Sequence, residues 1–146
     1  MRTLILAAAL ALPTAAAADD LIEKTSPNSV QDTADALVAA IEEAGATLFA
    51  RVDHAEGAAG IGSELPQATR IIFGNPMVGT PILQEDIRAG LMVPPSVLIY
   101  DDEGETKIIY QEADDMFDDL DVDDDDEIVR RLEGALDSLT DRAIAD

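Results

Sequence analysis

SVLIYDDEGETKIIYQEA, residues 96–113, decides the fold. Two runs of β-formers, residues 97–100 (VLIY) and 107–111 (KIIYQ), flank a turn built on Asp101, Asp102 and Gly104. Short connections of Asp and Gly between two such runs mark a hairpin. A hairpin forces at least one antiparallel strand pair. This separates the chain from doubly wound parallel folds, whose neighbouring strands need long crossovers.

Just upstream, FGNPMVGTPI (residues 73–82) holds two glycines, two prolines and an asparagine, and no charge. It follows a predicted strand at 68–74 (ATRIIFG) and precedes a short predicted helix at 81–90, which Pro81 opens and Gly90 ends. The stretch reads as tight-turn chemistry packed against the sheet, where an unpaired charge would cost far more than an amide. Its functional reading is a loop facing a ligand, with Asn75 and Thr80 as the hydrogen-bonding groups.

Further upstream, residues 20–25 (DLIEKT) read as a first strand. Ser29 is a good N-cap with Asp32 three residues on, and Val30, Ala34, Leu37, Ile41 and Ala44 form one apolar helical stripe that Gly45 stops. Residues 47–53 (TLFARVD) read as a strand, and 56–65 (EGAAGIGSEL) as a loop. Downstream, residues 114–127 hold ten acidic residues in fourteen, with Met116 and Phe117 expected to tuck into the domain. A final helix is predicted from about 125 to 144, with Ile128, Leu132, Leu136 and Leu139 as its stripe. The result is an α+β domain: a mainly antiparallel sheet with helices packed on one face. Its predicted parts are the domain proper at 19–113, an acidic linker at 114–127 and a C-terminal helix at 128–146.

The segments TSPNSVQDTADALVAAIEEAGATLFARVDHAEGA (25–58) and RIIFGNPMVGTPILQEDIRAGLMVPPSVLIYDDEGETKIIYQEA (70–113) resemble the domain of unknown function 302 family. The likeness rests on Ser29, Gly45, the strand from Phe49 to His54, the turn from Phe73 to Pro76 and the entry from Gly90 to Pro94. It covers about residues 21–113. It implies a compact fold of strand, helix, four strands and helix, and points to a dimer. It carries over no enzymatic activity. The acidic run and final helix depart from the usual ending of the family.

Residues 1–18 show a positive start at Arg2, an apolar run broken by Pro13 and an Ala-x-Ala ending at Ala18. This is the pattern of a cleaved signal peptide, too short to span a bilayer, and it predicts a periplasmic protein. The full chain has a net charge of −22, from 31 acidic and 9 basic residues. Such acidity disfavours nucleic acid and anionic membrane surfaces as partners. With no cysteine and one histidine, thiol chemistry and multi-histidine zinc sites are excluded. No catalytic set, cofactor or resident metal is expected.

The expected function is therefore non-catalytic binding of a small molecule or a protein, with Asn75, Thr80, His54 and Tyr100 as candidate ligand contacts. A homodimer through an exposed strand edge is a further expectation. Two alternatives use other residues. One is a hydrolase or isomerase with His54 as base beside Asp53 or Glu56. The other is weak divalent-cation binding by residues 114–127. That run fails the calcium-loop pattern, because Asp124 or Asp126 stands where the loop needs glycine and Arg130 or Leu132 where it needs glutamate.

Overall fold

A computed structural model describes residues 21–123 and 126–145. The predicted signal peptide lies outside the described residues. Five strands, β1 (Leu21–Ser26), β2 (Thr47–Asp53), β3 (Ala68–Gly74), β4 (Ser96–Asp102) and β5 (Glu105–Gln111), form one sheet in the order β1-β5-β4-β3-β2. All four neighbour pairings are antiparallel. Helices α1 (Val30–Glu43), α2 (His54–Ala59), α3 (Pro76–Glu85) and α4 (Glu127–Ile144) complete the domain, with 3₁₀ turns at Ile87–Leu91 and Asp115–Phe117. The chain thus runs strand, helix, four strands, helix, with short helical insertions, as an α+β fold.

The hairpin closes as its composition demands. Asp102 pairs with Glu105, leaving Glu103 (φ 52°) and Gly104 (φ 96°) as a two-residue loop. Both loop positions need positive φ, and Asp101 Oδ1 accepts from the Gly104 amide at 2.7 Å. Glycine adopts this region freely and glutamate does not. Glu103→Asn is therefore expected to raise stability by about 0.5–1 kcal/mol, read from the urea midpoint.

Sheet alternation divides the residues of the central strands. Ile71, Phe73, Val97, Ile99, Ile108 and Tyr110 are buried on the inner face, together with Val30, Ala34, Leu37 and Ile41 from α1 and Val129, Leu132, Leu136 and Leu139 from α4. Ser29 caps α1 as expected, its side chain accepting from the Asp32 amide. On the outer face lie Arg70, Ile72, Leu98, Tyr100, Lys107 and Ile109, none of them buried. Lys24 on β1 ties the sheet to α4: its Nζ donates to Asp137 Oδ1 at 2.7 Å and Asp141 Oδ1 at 2.5 Å, and sits 5.8 Å above the Tyr110 ring. Partial burial pulls the Lys24 pKa down, but the bonds to the two aspartates outweigh it and hold the ammonium above its usual value.

Three local expectations need correction. Residues 56–59, expected as loop, belong to α2, because Asp53 caps that helix by accepting from the Glu56 amide at 2.9 Å. The helix predicted at 81–90 starts five residues earlier. Asn75 is its cap and Pro76 its first residue, so Pro81 lies inside α3 rather than at its entrance. The first proline sets the start because its missing N–H falls where the helix has no partner for one. Residues 76–81 are accordingly helical rather than a tight turn: Pro76, Met77 and Thr80 are exposed, while Val78 packs against the core.

Residues 114–123 of the acidic stretch lie close against the body. Met116, Phe117 and Val122 are all buried in the core. One buried carboxylate ties the stretch to the end of α3. Asp86, at the end of α3, accepts from the Arg88 amide at 2.9 Å, from Arg88 Nε at 3.0 and 2.9 Å, and from the Asp121 amide at 3.2 Å. The Arg88 side chain and backbone bonds hold the Asp86 carboxyl well below the usual carboxylate range, against the opposing effect of its burial.

A folded-state pKa below the unfolded one means stability that is present above the unfolded pKa, about 4, and lost as pH falls through the folded value. Asp86→Asn is expected to lower the urea midpoint at pH 7. The gap to the parent should narrow progressively once the pH drops below about 4. A gap that stays constant down to acid pH would show that the charge on Asp86 is not what stabilises the fold.

Candidate functional site

The α3 region, the start of β2 and the middle turns of α4 line a cleft of about 340 Å³. Its inner wall is Phe73, Gly74, Val93, Pro94 and Pro95. Asn75, Pro76, Val78, Gly79, Thr80 and Leu83 form one side, and Arg131, Leu132, Ala135, Leu136 and Leu139 the other, with Ala44, Ala46 and Phe49 closing the end. Each wall follows from local sequence. Phe49 stands at the register shift between Leu48 and Ala50 on β2 and is 56% exposed although it is aromatic. Gly74 permits the close approach of its neighbours: a Cβ there would lie 3.1 Å from Pro94 Cβ and 3.6 Å from Phe49 Cε2. Gly79 sits inside α3, where glycine weakens a helix, and a Cβ added to it meets nothing within 4 Å.

Polar groups are few and lie on the α3 and α4 walls. Asn75 Oδ1 accepts from the Met77 amide at 2.9 Å as the cap of α3, which leaves the side-chain amide hydrogens of Asn75 as donors. Thr80 adds an exposed hydroxyl. The ion pair of Arg131 with Glu127 Oε1, one turn earlier on α4, spans 3.6 Å, longer than a hydrogen bond.

Of the four expected contacts, Asn75 and Thr80 line this cleft and His54 and Tyr100 do not. The cleft lies at the Thr47–Gly74 end of the β2–β3 pair. His54 follows Asp53 at the other end of β2, about 20 Å away along the strand. It is exposed, and the carboxylate of Asp53 is already engaged in capping α2. Tyr100 sits on the outer sheet face opposite Lys107 and Ala68. Burial, with Glu23 and Asp102 nearby, raises its pKa above the usual value, which keeps it a neutral phenol. The sequence placed Gly79 in the ligand-facing loop but did not single out Phe49, Leu83 or the α4 residues as cleft residues.

Among the described residues, Glu112, Asp114 and Asp115 bring carboxylate oxygens within 4.8 Å of one another where the acidic run begins. Asp114 Oδ1 also accepts from the Asp115 amide at 3.1 Å. No helix of the described residues is long and apolar enough to cross a membrane.

The model of the family described as "Domain of unknown function DUF302" matches residues 22–139. The chain belongs to that family. The match runs through the acidic stretch and most of α4, so both walls of the cleft fall inside the family's domain. The fold agrees with a solved member, an uncharacterized conserved protein of the DUF302 family from Bacillus stearothermophilus. It superposes with a TM-score of 0.75 at 18% identity, covering 86% of this chain and 99% of that one.

Two proteins named fluoride-specific ion channel FluC 1, from Brucella suis biovar 1 and Brucella abortus biovar 1, are each 38% identical over 82 residues, 56% of this chain. The aligned stretch is 32% of the first and 30% of the second, so this chain spans about a third of the length of the curated relatives it matches.

Proposed function

We propose that this member of the DUF302 family binds a small, largely apolar molecule in the cleft between α3 and α4 and performs no chemistry on it. The signal-peptide pattern at 1–18 supports a periplasmic setting for this binding. The observation that carries the reading is the cleft itself. About 340 Å³ of space lined chiefly by aliphatic, aromatic and proline side chains, with a few polar groups on its walls, is the usual form of a ligand site. No nucleophile, base and orienting group meet in it, which is why binding is favoured over catalysis.

The test uses N-phenyl-1-naphthylamine, a neutral apolar dye whose fluorescence rises when it leaves water. The parent should bind it, and the dye should raise the melting temperature by mass action. Gly79→Phe, which places a ring into open space, and Ala135→Trp, from the opposite wall, should each abolish the signal while the protein stays folded. Gly79→Ala should retain binding and gain about 0.5–1 kcal/mol of stability from helix propensity. Dye binding that is equal in the parent and both blocked variants would refute the cleft as the site.

A second reading rests on the likeness to the two fluoride channels, in which the homologous stretch is about a third of the chain. On that reading the domain works as a protein partner of an ion-transport protein. Fluoride tolerance of cells lacking the chain measures it: unchanged tolerance would count against such a partnership.

A further inference from the structure

We infer that the cleft selects an anionic amphiphile, a small acid with an apolar body, held by Arg131. The inference rests on the binding reading above and adds the chemical class of the ligand. Its basis is charge distribution. Of 146 residues, 31 are acidic, about one in five, so 19 residues drawn at random would include about four carboxylates. The 19 residues lining the cleft include none, and their one charged member is Arg131.

The polar groups there are mainly donors: the Arg131 guanidinium, the free amide hydrogens of Asn75 and the Thr80 hydroxyl, which can also accept. Among the described residues the guanidinium is held by the loose 3.6 Å pair with Glu127, which leaves donors for a ligand oxygen. An amine would find no carboxylate in the lining to receive it. A neutral hydrocarbon would leave the guanidinium unused. A carboxylate would take two parallel N–H donors from arginine while its body fills the space between Phe49, Phe73, Leu83 and Leu136. The remote charge of the chain opposes an anion, but at physiological salt that field is screened beyond about 8 Å, whereas the contact with Arg131 is not.

The experiment is displacement of N-phenyl-1-naphthylamine by octanoate and by 1-octanol, which share an alkyl chain and differ in charge. The parent is expected to bind octanoate about two- to fivefold more tightly than the chain length alone provides, the range for an exposed charge pair. Arg131→Gln should remove that gain and leave 1-octanol displacement unchanged. If Arg131→Gln leaves octanoate affinity unaltered, or weakens both ligands equally, the anion selection is overturned while the cleft remains a binding site. If the dye does not bind the parent, or binds Gly79→Phe as well as the parent, the binding reading fails and this inference fails with it. Arg131 is 57% exposed by its side chain, and Gln keeps much of its aliphatic stem, so the variant is expected to fold.

Discussion

Phe117→Ala is expected to lower the free energy of unfolding by about 3–5 kcal/mol. Phe117 is 1% exposed and is the largest of the fully buried side chains, yet it comes from a stretch whose composition resembles a solvated tether. Its neighbour Met116 is 5% exposed, Val122 is buried and Leu120 packs against the same core. Truncating the ring leaves a void that close-packed neighbours cannot fill, so both transfer and cavity costs apply. Urea unfolding followed by far-ultraviolet circular dichroism measures it. Asp118→Asn, one residue on and exposed, should stay within about 0.5 kcal/mol of the parent. A loss below about 1 kcal/mol for Phe117→Ala would mean that the acidic stretch contributes little to the core.

Leu136→Ala is expected to cost about 2–5 kcal/mol. Leu136 is fully buried on α4 and also lines the cleft, so the substitution removes core packing and widens the proposed binding space at once. Apolar cavities in proteins stay dry and accept apolar guests. The neutral dye should therefore recover part of the lost melting temperature in Leu136→Ala, by more than it raises that of the parent. A variant that loses stability but gains nothing extra from the dye would show Leu136 to be a core residue with no share in the cleft.

The antiparallel architecture was legible because its signals are local. Asp101, Asp102 and Gly104 specify the hairpin within a few residues, and Ser29 to Gly45 mark both ends of α1. The errors arose where two local signals compete. Asn75–Pro76 and Thr80–Pro81 both look like helix entrances, and only the first has a cap that accepts from the amide two residues later. At α2 the two glycines of residues 54–60 pointed to a loop. The cap by Asp53 and a helix of only six residues prevailed. The cleft was half legible. Asn75 and Thr80 stand out as polar residues in an uncharged stretch. Their opposite wall, Arg131 to Leu139, lies more than fifty residues away in sequence and is brought close only by packing of α4 on α1 and α3. No periodicity encodes which face of α4 meets which turn of α3. His54 and Tyr100 fail for the same reason: strand register sends one to the far end of β2 and the other to the outer face.

The order of synthesis gives the α4 wall a consequence of its own. When residues 1–113 have left the ribosome, every strand is present, but Phe73, Leu37 and Ile41 still lack the helix that covers them. The nascent chain therefore exposes a greasy surface until α4 emerges, and a translation product stopped short of residue 131 would lack the α4 side of the proposed binding space however well its sheet has formed.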